Sequence, residues 1–383
     1  LARKALDANY RVVIGQQWLM NEYLPQFTPG IVLYKGINRI QGDWMLRAKQ
    51  SGHRIAAINE EAMALAMSSF IAKTTATEVL ELIDCLLVQG TNERDAYREY
   101  FPDAATRIAV TGNPRADLLG PELRYCHDKD RDEIRAAHGQ FILVNTNFGY
   151  INTELGMPED FLSHCARLGM FDPTSEKDIT LFKARFLFER ENMMAFNNLL
   201  PILRERYPDR KVVVRPHPAE NHDRWRSLVS RMDGVEVHGE GPAIPWILAS
   251  ELLIHNACTT GAEAIMLEHP VVAYCAFGNA FEDVFLANHV SPRLASIEAL
   301  LAGIDDVFRN PEATGARQRA KFADTLGVHY LEAFASKATD RVFKEINNLS
   351  FTDHEDNLIR PGEKLDPDAP FPPQQKSRIS RLV

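Results

Sequence analysis

Short β-branched and aliphatic runs alternate along the chain with longer segments in which apolar residues recur at helical spacing. Arg11 to Ile14, Ile31 to Tyr34, Arg54 to Ile58, Cys85 to Val88 and Arg107 to Val110 predict a first series of strands. Phe141 to Asn145, Lys211 to Val214, Val235 to Val237, Leu252 to His255 and Val271 to Tyr274 predict a second. Strands separated by helices of this length read as βαβ units in parallel sheets. Residues 114–138, charged and linker-like before turning helical, separate the two series. The pattern therefore predicts an α/β protein with two Rossmann-like domains whose parallel sheets face a central cleft. The expected divisions are 1–125, 126–315, a C-terminal helix over 316–350 and a Pro-rich tail over 351–383.

A long amphipathic helix is expected over 176–207, bearing Phe182, Phe186, Phe188, Met193, Met194 and Phe196. A second is expected over 316–347. The chain opens on a helical stretch, Leu1 to Ala8, where a Rossmann half ordinarily opens on a strand and a Gly-rich turn. That strand is either absent or lies outside this chain. The tail carries Pro361, Pro367, Pro370, Pro372 and Pro373 with few apolar residues, and reads as extended. Its basic end, Lys376, Arg378 and Arg381, offers a contact for an inner-membrane surface or a partner, although such a tail is most simply solvated.

Composition narrows the function classes. The chain has 383 residues, 45% hydrophobic and 25% charged, which suits a soluble protein with a large core. A net charge of −9 argues against sequence-general nucleic-acid binding. No apolar run approaches the roughly 18–20 residues of a membrane span. Cys85, Cys126, Cys165, Cys258 and Cys275 are scattered, odd in number and without CxxC spacing. They read as reduced thiols of a cytoplasmic protein, not as a zinc site or disulfide frame.

The candidate chemistry lies at the ends of expected strands, where open α/β sheets bind ligands. After Lys211 to Val214 comes Arg215-Pro216-His217-Pro218-Ala219-Glu220. Prolines fix φ on both sides of His217 and pre-aim its ring. His217 can donate to a phosphate oxygen, and Arg215 can support the same charge or pair with Glu220. After Leu252 to His255 come Thr259, Thr260, Gly261 and Glu263. The two hydroxyls serve as helix caps or hold phosphate, and Glu263 suits a ribose diol or the helix dipole. Asn145, Thr146, Asn147, Phe148 and Gly149 form a polar turn that is either ordinary or aimed at the cleft. Glu60 and Glu61 follow Arg54 to Ile58, either as a solvated helix start or as carboxylates able to move a proton. Gln89-Gly90 and Val110-Thr111-Gly112-Asn113-Pro114 shape the cleft, with Asn113 or Arg115 in reach of a ligand.

Together these stretches, with Ile244-Pro245-Trp246 and His255 to Pro270, resemble bacterial surface-carbohydrate biosynthesis proteins of the glycosyltransferase GT-B type. The resemblance spans most of residues 10–280. Bacterial sialyltransferases and Kdo transferases of this architecture pair a first-domain acidic motif with a second-domain His-Pro motif and a Ser/Thr pair near the phosphate. Glu60-Glu61-Ala62 is similar to the acidic motif, with Ala62 where Gly is usual; His217-Pro218 matches the His-Pro motif, and Thr259-Thr260 the hydroxyl pair. The resemblance implies Glu60 or Glu61 and His217 as catalytic residues. It implies a nucleotide site of Asn145, Asn147, Gly149, Arg215, His217, Pro218, Glu220, Ile244, Trp246, Thr259, Thr260 and Glu263, with Ile244 and Trp246 beside cytosine.

The implied donor is a CMP-activated Kdo or nonulosonic acid, and the implied acceptor an oligosaccharide or glycolipid. Neither a cofactor nor a metal is expected, because such a donor carries one phosphate and no DxD-like cluster stands at a strand end. Three other readings fit much of the pattern. UDP-GlcNAc 2-epimerases share the two-domain fold and a similar Val110 to Asn113 turn; polyol-phosphate transferases that use CDP-glycerol share the His-Pro motif; and a degenerate transferase would serve as a scaffold for polysaccharide assembly.

Overall fold

In a computed structural model of the chain, residues 1–60, 62, 65–66, 75–167, 170–330 and 336–349 are described. Glu61 and the tail 351–383 lie outside them. The strands form two parallel sheets. The first has the order β1-β2-β3-β4: Ile31–Tyr34, Arg54–Ile58, Cys85–Val88 and Arg107–Val110. The second contains β5 (Phe141–Asn145), β6 (Lys211–Arg215), β7 (Val235–Val237), β8 (Leu252–His255), β9 (Val271–Tyr274) and β10 (Arg293–Leu294). Its order is β10-β9-β8-β5-β6-β7. Read from the other edge, the chain runs outward from β5 to β7, then returns to the far side of β5 for β8, β9 and β10. This is the strand order of a full Rossmann sheet, and it opens a crevice at the carboxyl ends of β5 and β8, where the order reverses.

Burial explains the sequence pattern. Every residue of β3, β5, β8 and β9 is buried, as expected for central parallel strands covered by helices on both faces. One face of the second sheet packs on Ile244, Trp246, Ile247, Ile265 and Leu286. The other packs on Phe196, Leu199, Leu200 and Leu203 of the Glu176–Arg206 helix, together with Trp225 and Leu300.

Two expected elements differ. Arg11 to Ile14 is not a strand. Its alternation is too short and too exposed to join a sheet, with Ile14 80% exposed. The expected C-terminal helix is three: Pro311–Lys321, Ala323–His329 and Ala338–Asn347. The last returns to the first sheet, where Val342 packs against Ala56, Ile58, Cys85 and Leu87. Asp117 receives the backbone N–H groups of Ala338 and Thr339, each at 2.8 Å, which fixes the start of this helix. Strand β10 was not anticipated, because two residues carry no readable period.

Other contacts tie the two sheets together. The backbone N–H of Ala66 donates to Val284 at 2.8 Å, and Leu65 bridges to Phe285. Asn92 meets His329 at 3.3 Å. No helix among the described residues is long and apolar enough to cross a membrane.

Candidate functional site

Three strand ends converge at the reversal crevice. β6 delivers Arg215 and then His217. The backbone N–H of Ala219 donates to His217 Nδ1 at 3.1 Å. A backbone N–H can only donate, so Nδ1 must hold a lone pair and the neutral ring carries its proton on Nε2. His217 lies at the exposed surface of the turn. The His-Pro turn thus sets the ring's position through proline and its tautomer through Ala219.

Arg215 is buried and does not pair with Glu220. Its guanidinium donates to the carbonyls of Glu240 and Gly241, both at 2.9 Å, and lies 5.1 Å from the centre of the Trp246 ring. Burial lowers its pKa to about 10. Arg215 therefore holds the 240–246 segment against β6.

Glu220 is completely buried and receives five donors. Oε1 accepts from Thr146 Oγ1 at 2.7 Å, Phe148 N at 3.1 Å and His217 N at 3.1 Å; Oε2 accepts from Trp225 Nε1 at 2.8 Å and Asn152 Nδ2 at 3.2 Å. One carboxylate thus joins the turns after β5 and β6. Glu189 supports the first turn from below, accepting from Tyr150 N at 2.8 Å and Arg185 Nε at 2.7 Å. Burial raises the Glu189 pKa, while Arg185 opposes the shift.

The end of β8 supplies the third group. Asn147 bonds to Asn256 and Ala257, through its N–H at 3.2 Å and its side chain at 2.8 Å respectively. Asn145 Nδ2 donates to Thr260 Oγ1 at 3.0 Å, and that hydroxyl turns to Cys258 Sγ at 3.0 Å. The hydroxyls of Thr259 and Thr260 do not cap the Thr260–Met266 helix. Ala257 holds φ at +51°, a left-handed conformation that costs a non-glycine residue energy and commonly marks functional loops. Asn145 Oδ1, Asn256 Nδ2 and His255 Nδ1 are buried without a protein hydrogen-bond partner. Gly149 packs in the same turn region, with its missing Cβ facing Ala219.

Glu263 is also completely buried and lies 2.6 Å from Arg115, which follows β4. This is a close ion contact without aligned hydrogen bonds, since neither carboxylate oxygen finds a suitably oriented protein donor. Burial raises the Glu263 pKa and Arg115 lowers it. Ile244 and Trp246 sit in the hydrophobic layer covering the second sheet, with Trp246 against Phe141, His138 and His238.

On the first sheet, Glu60 is exposed at the end of β2, with its N–H directed to Lys35 O at 3.4 Å. Behind it lies a buried polar group that sequence reading missed. Glu93 accepts from Gln89 N at 2.7 Å, Gln89 Nε2 donates to Asn59 O at 2.8 Å, and Asn59 Nδ2 reaches Tyr97 at 3.3 Å. Burial pushes the Glu93 pKa up to about 8. Its only sequence signal is an acid in the first turn of an otherwise ordinary surface-like helix.

No protein-family model matches the chain, and no curated protein matches it. Solved structures resemble it in fold. A provisionally assigned UDP-N-acetylglucosamine 2-epimerase from Listeria monocytogenes aligns with a TM-score of 0.50 and 15% identity, covering 88% of this chain and 81% of that one. UDP-GlcNAc 2-epimerase from Neisseria meningitidis, bound to UDP-GlcNAc, gives 0.49 and 12%, covering 86% and 80%. The wall teichoic acid polymerase TagF gives 0.45 and 13%, covering 78% of this chain and 68% of that one. At such identities the likeness speaks for fold, and it agrees with the two parallel sheets: this chain is an α/β protein of GT-B-like architecture.

Proposed function

We propose that the chain is a glycosyltransferase of GT-B type that takes its sugar from a nucleotide-activated donor bound at the ends of β5, β6 and β8. The observation carrying this reading is the His-Pro turn at the strand-order reversal: Ala219 N–H donates to Nδ1 of the exposed His217 and so fixes the ring, with its proton on Nε2, just beyond the carboxyl end of β6. A fixed donor there can stabilise the charge that grows on a departing phosphate. Thr259, Thr260, Asn145 and Asn147 line the adjoining strand ends. Glu60, exposed beyond the end of β2 on the first sheet, or its sequence neighbour Glu61, is the proposed carboxylate that activates the acceptor hydroxyl or attacks the donor.

Charge favours a donor with one phosphate. Across residues 145–154, 215–222 and 255–263 the only Lys or Arg is Arg215, and its guanidinium is engaged by two carbonyls and Trp246; Arg115, which reaches this region from the first sheet, is paired with the Glu263 carboxylate. A neutral imidazole with hydroxyls and amides suits one phosphodiester charge better than a diphosphate. This supports a CMP-activated acid sugar, with a surface oligosaccharide or glycolipid as acceptor. A second reading, a UDP-sugar enzyme such as a 2-epimerase, is favoured by the fold likeness to the Listeria protein.

Calorimetric titration of the protein and its His217→Ala variant with CMP and UDP tests both. We expect CMP to bind more tightly, and the variant to weaken it by about ten- to a hundredfold, the worth of a hydrogen bond to a charged group. Tighter UDP binding would move the assignment to the second reading. Binding of neither nucleotide would overturn the enzyme reading.

A further inference from the structure

A separate group of ligating side chains stands at the β7 edge of the second sheet. His138 ends the Asp128–His138 helix, Glu236 lies in β7, and His238 follows it on the same face, two residues on. His138 Nδ1 lies 2.7 Å from Glu236 Oε2, and His238 Nε2 lies 3.1 Å from the same oxygen. The three ligand atoms fall within 4.8 Å of one another. Trp246 closes one side, its ring centre 5.1 Å from His138 and 4.9 Å from His238. The side chains of Glu236 and His238 keep 29% and 31% of their surface in solvent. Lys211 holds the other carboxylate oxygen at 2.6 Å, which leaves Oε2 aimed at the two rings.

We propose that His138, Glu236 and His238 bind a Zn²⁺-like transition-metal dication, with solvent completing a four-coordinate shell. Two imidazoles and one carboxylate are a zinc-type ligand set; Ca²⁺ and Mg²⁺ take shells made of oxygen ligands, and this cluster offers a single carboxylate. The ligand atoms need only modest side-chain rotation, since zinc–nitrogen bonds of about 2.0–2.1 Å put neighbouring ligands about 3.3 Å apart. Without metal, both ring nitrogens facing Oε2 donate to it. On binding, each imidazole turns a lone pair to the metal and carries its N–H on the other ring nitrogen. The ion would pin edge strand β7 to the Asp128–His138 helix and fix Trp246, over which the Arg215 guanidinium lies. This inference is independent of which nucleotide, if any, the crevice binds.

The test uses the full chain with Cys126→Ser, because Cys126 is an exposed thiol that would compete for metal. Zn²⁺ is titrated by calorimetry and Co²⁺ by visible absorption. One equivalent should bind, with the intense bands of four-coordinate Co²⁺ and no thiolate charge-transfer band. His138→Asn and His238→Asn should each weaken binding by about tenfold or more. His238→Asn is the deciding variant, since its half-exposed side chain can be exchanged without opening the core. Absence of saturable binding, or equal affinity in a folded His238→Asn protein, would overturn the assignment.

Discussion

The Arg115 guanidinium, from the loop after the first sheet, lies 2.6 Å from the fully buried Glu263 carboxylate of the second. Burial raises the Glu263 pKa and Arg115 opposes it. Arg115→Ala should therefore leave a buried charge uncompensated. Breaking a fully buried pair costs about 3–5 kcal/mol; because half the Arg115 side chain is in solvent, we expect roughly 1–3 kcal/mol. The loss should shrink in acid, where Glu263 is protonated and needs no partner. Urea unfolding at acidic and neutral pH checks this, and a pH-independent deficit would contradict it.

Glu220 makes a stronger claim on stability, since five donors point at one side chain. Glu220→Gln turns an amide NH₂ toward some of those donors while keeping the volume. We expect a loss of about 2–3 kcal/mol, of the order found when buried donors lose a charged acceptor. Nucleotide affinity should fall as well, because the same carboxylate holds the His217 and Phe148 N–H groups. A variant with reduced stability and unchanged affinity would restrict Glu220 to a folding role.

The sheets were legible from sequence because central parallel strands must be apolar on both faces. Leu252–His255 and Phe141–Asn145 announce themselves as short buried runs. Arg11 to Ile14 has the same composition and no sheet to join, which local pattern cannot reveal. His217 was legible because the prolines beside it act locally. The partners of the charged groups were not. Arg215 chose carbonyls about 25 residues away over the nearby Glu220, and Arg115 chose Glu263 from the other sheet. His138 and Glu236 lie 98 residues apart and meet only because the Asp128–His138 helix, packed on the Ala243–Ala249 helix, ends beside edge strand β7.

The pH dependence of stability should peak near pH 6.5. His255 is buried and His269 half-buried, and loss of solvent around each ring drops its pKa to about 3 from 6.5. Depressed in the fold, both contribute stability that is present above about pH 6.5 and lost as pH falls toward 3. Glu93 behaves in the opposite sense. Its pKa, raised by burial from 4.5 to about 8, gives stability present in acid and lost as pH rises through that window. Below about pH 6.5 the histidines, with His329 lowered by burial to about 4 in the same sense, outweigh Glu93; above it Glu93 is the principal group, and burial raises Glu189, Glu263 and Glu282 in the same sense. Melting temperatures across this range should rise and then fall, and Glu93→Gln should shrink the alkaline decline. An unchanged decline in that variant would assign it to other groups.

Gly261→Ala tests the packing behind the β8 turn. A methyl group at Gly261 would overlap Nε2 of His255, which is completely buried and bonded to Ser291 at 3.0 Å. Gly261 lies in the first turn of the Thr260–Met266 helix, so helix propensity alone predicts a gain of at most about 1 kcal/mol on replacement with alanine. Overpacking against an imidazole that cannot move should reverse that sign and give a net loss of about 1–3 kcal/mol. The two effects separate in a double-mutant cycle. In a His255→Ala background the clash disappears, so Gly261→Ala should become neutral or stabilising, with a coupling of roughly 0.5–3 kcal/mol. Additive losses in the cycle would mean that Gly261 is required for its backbone and not for the room it leaves to His255.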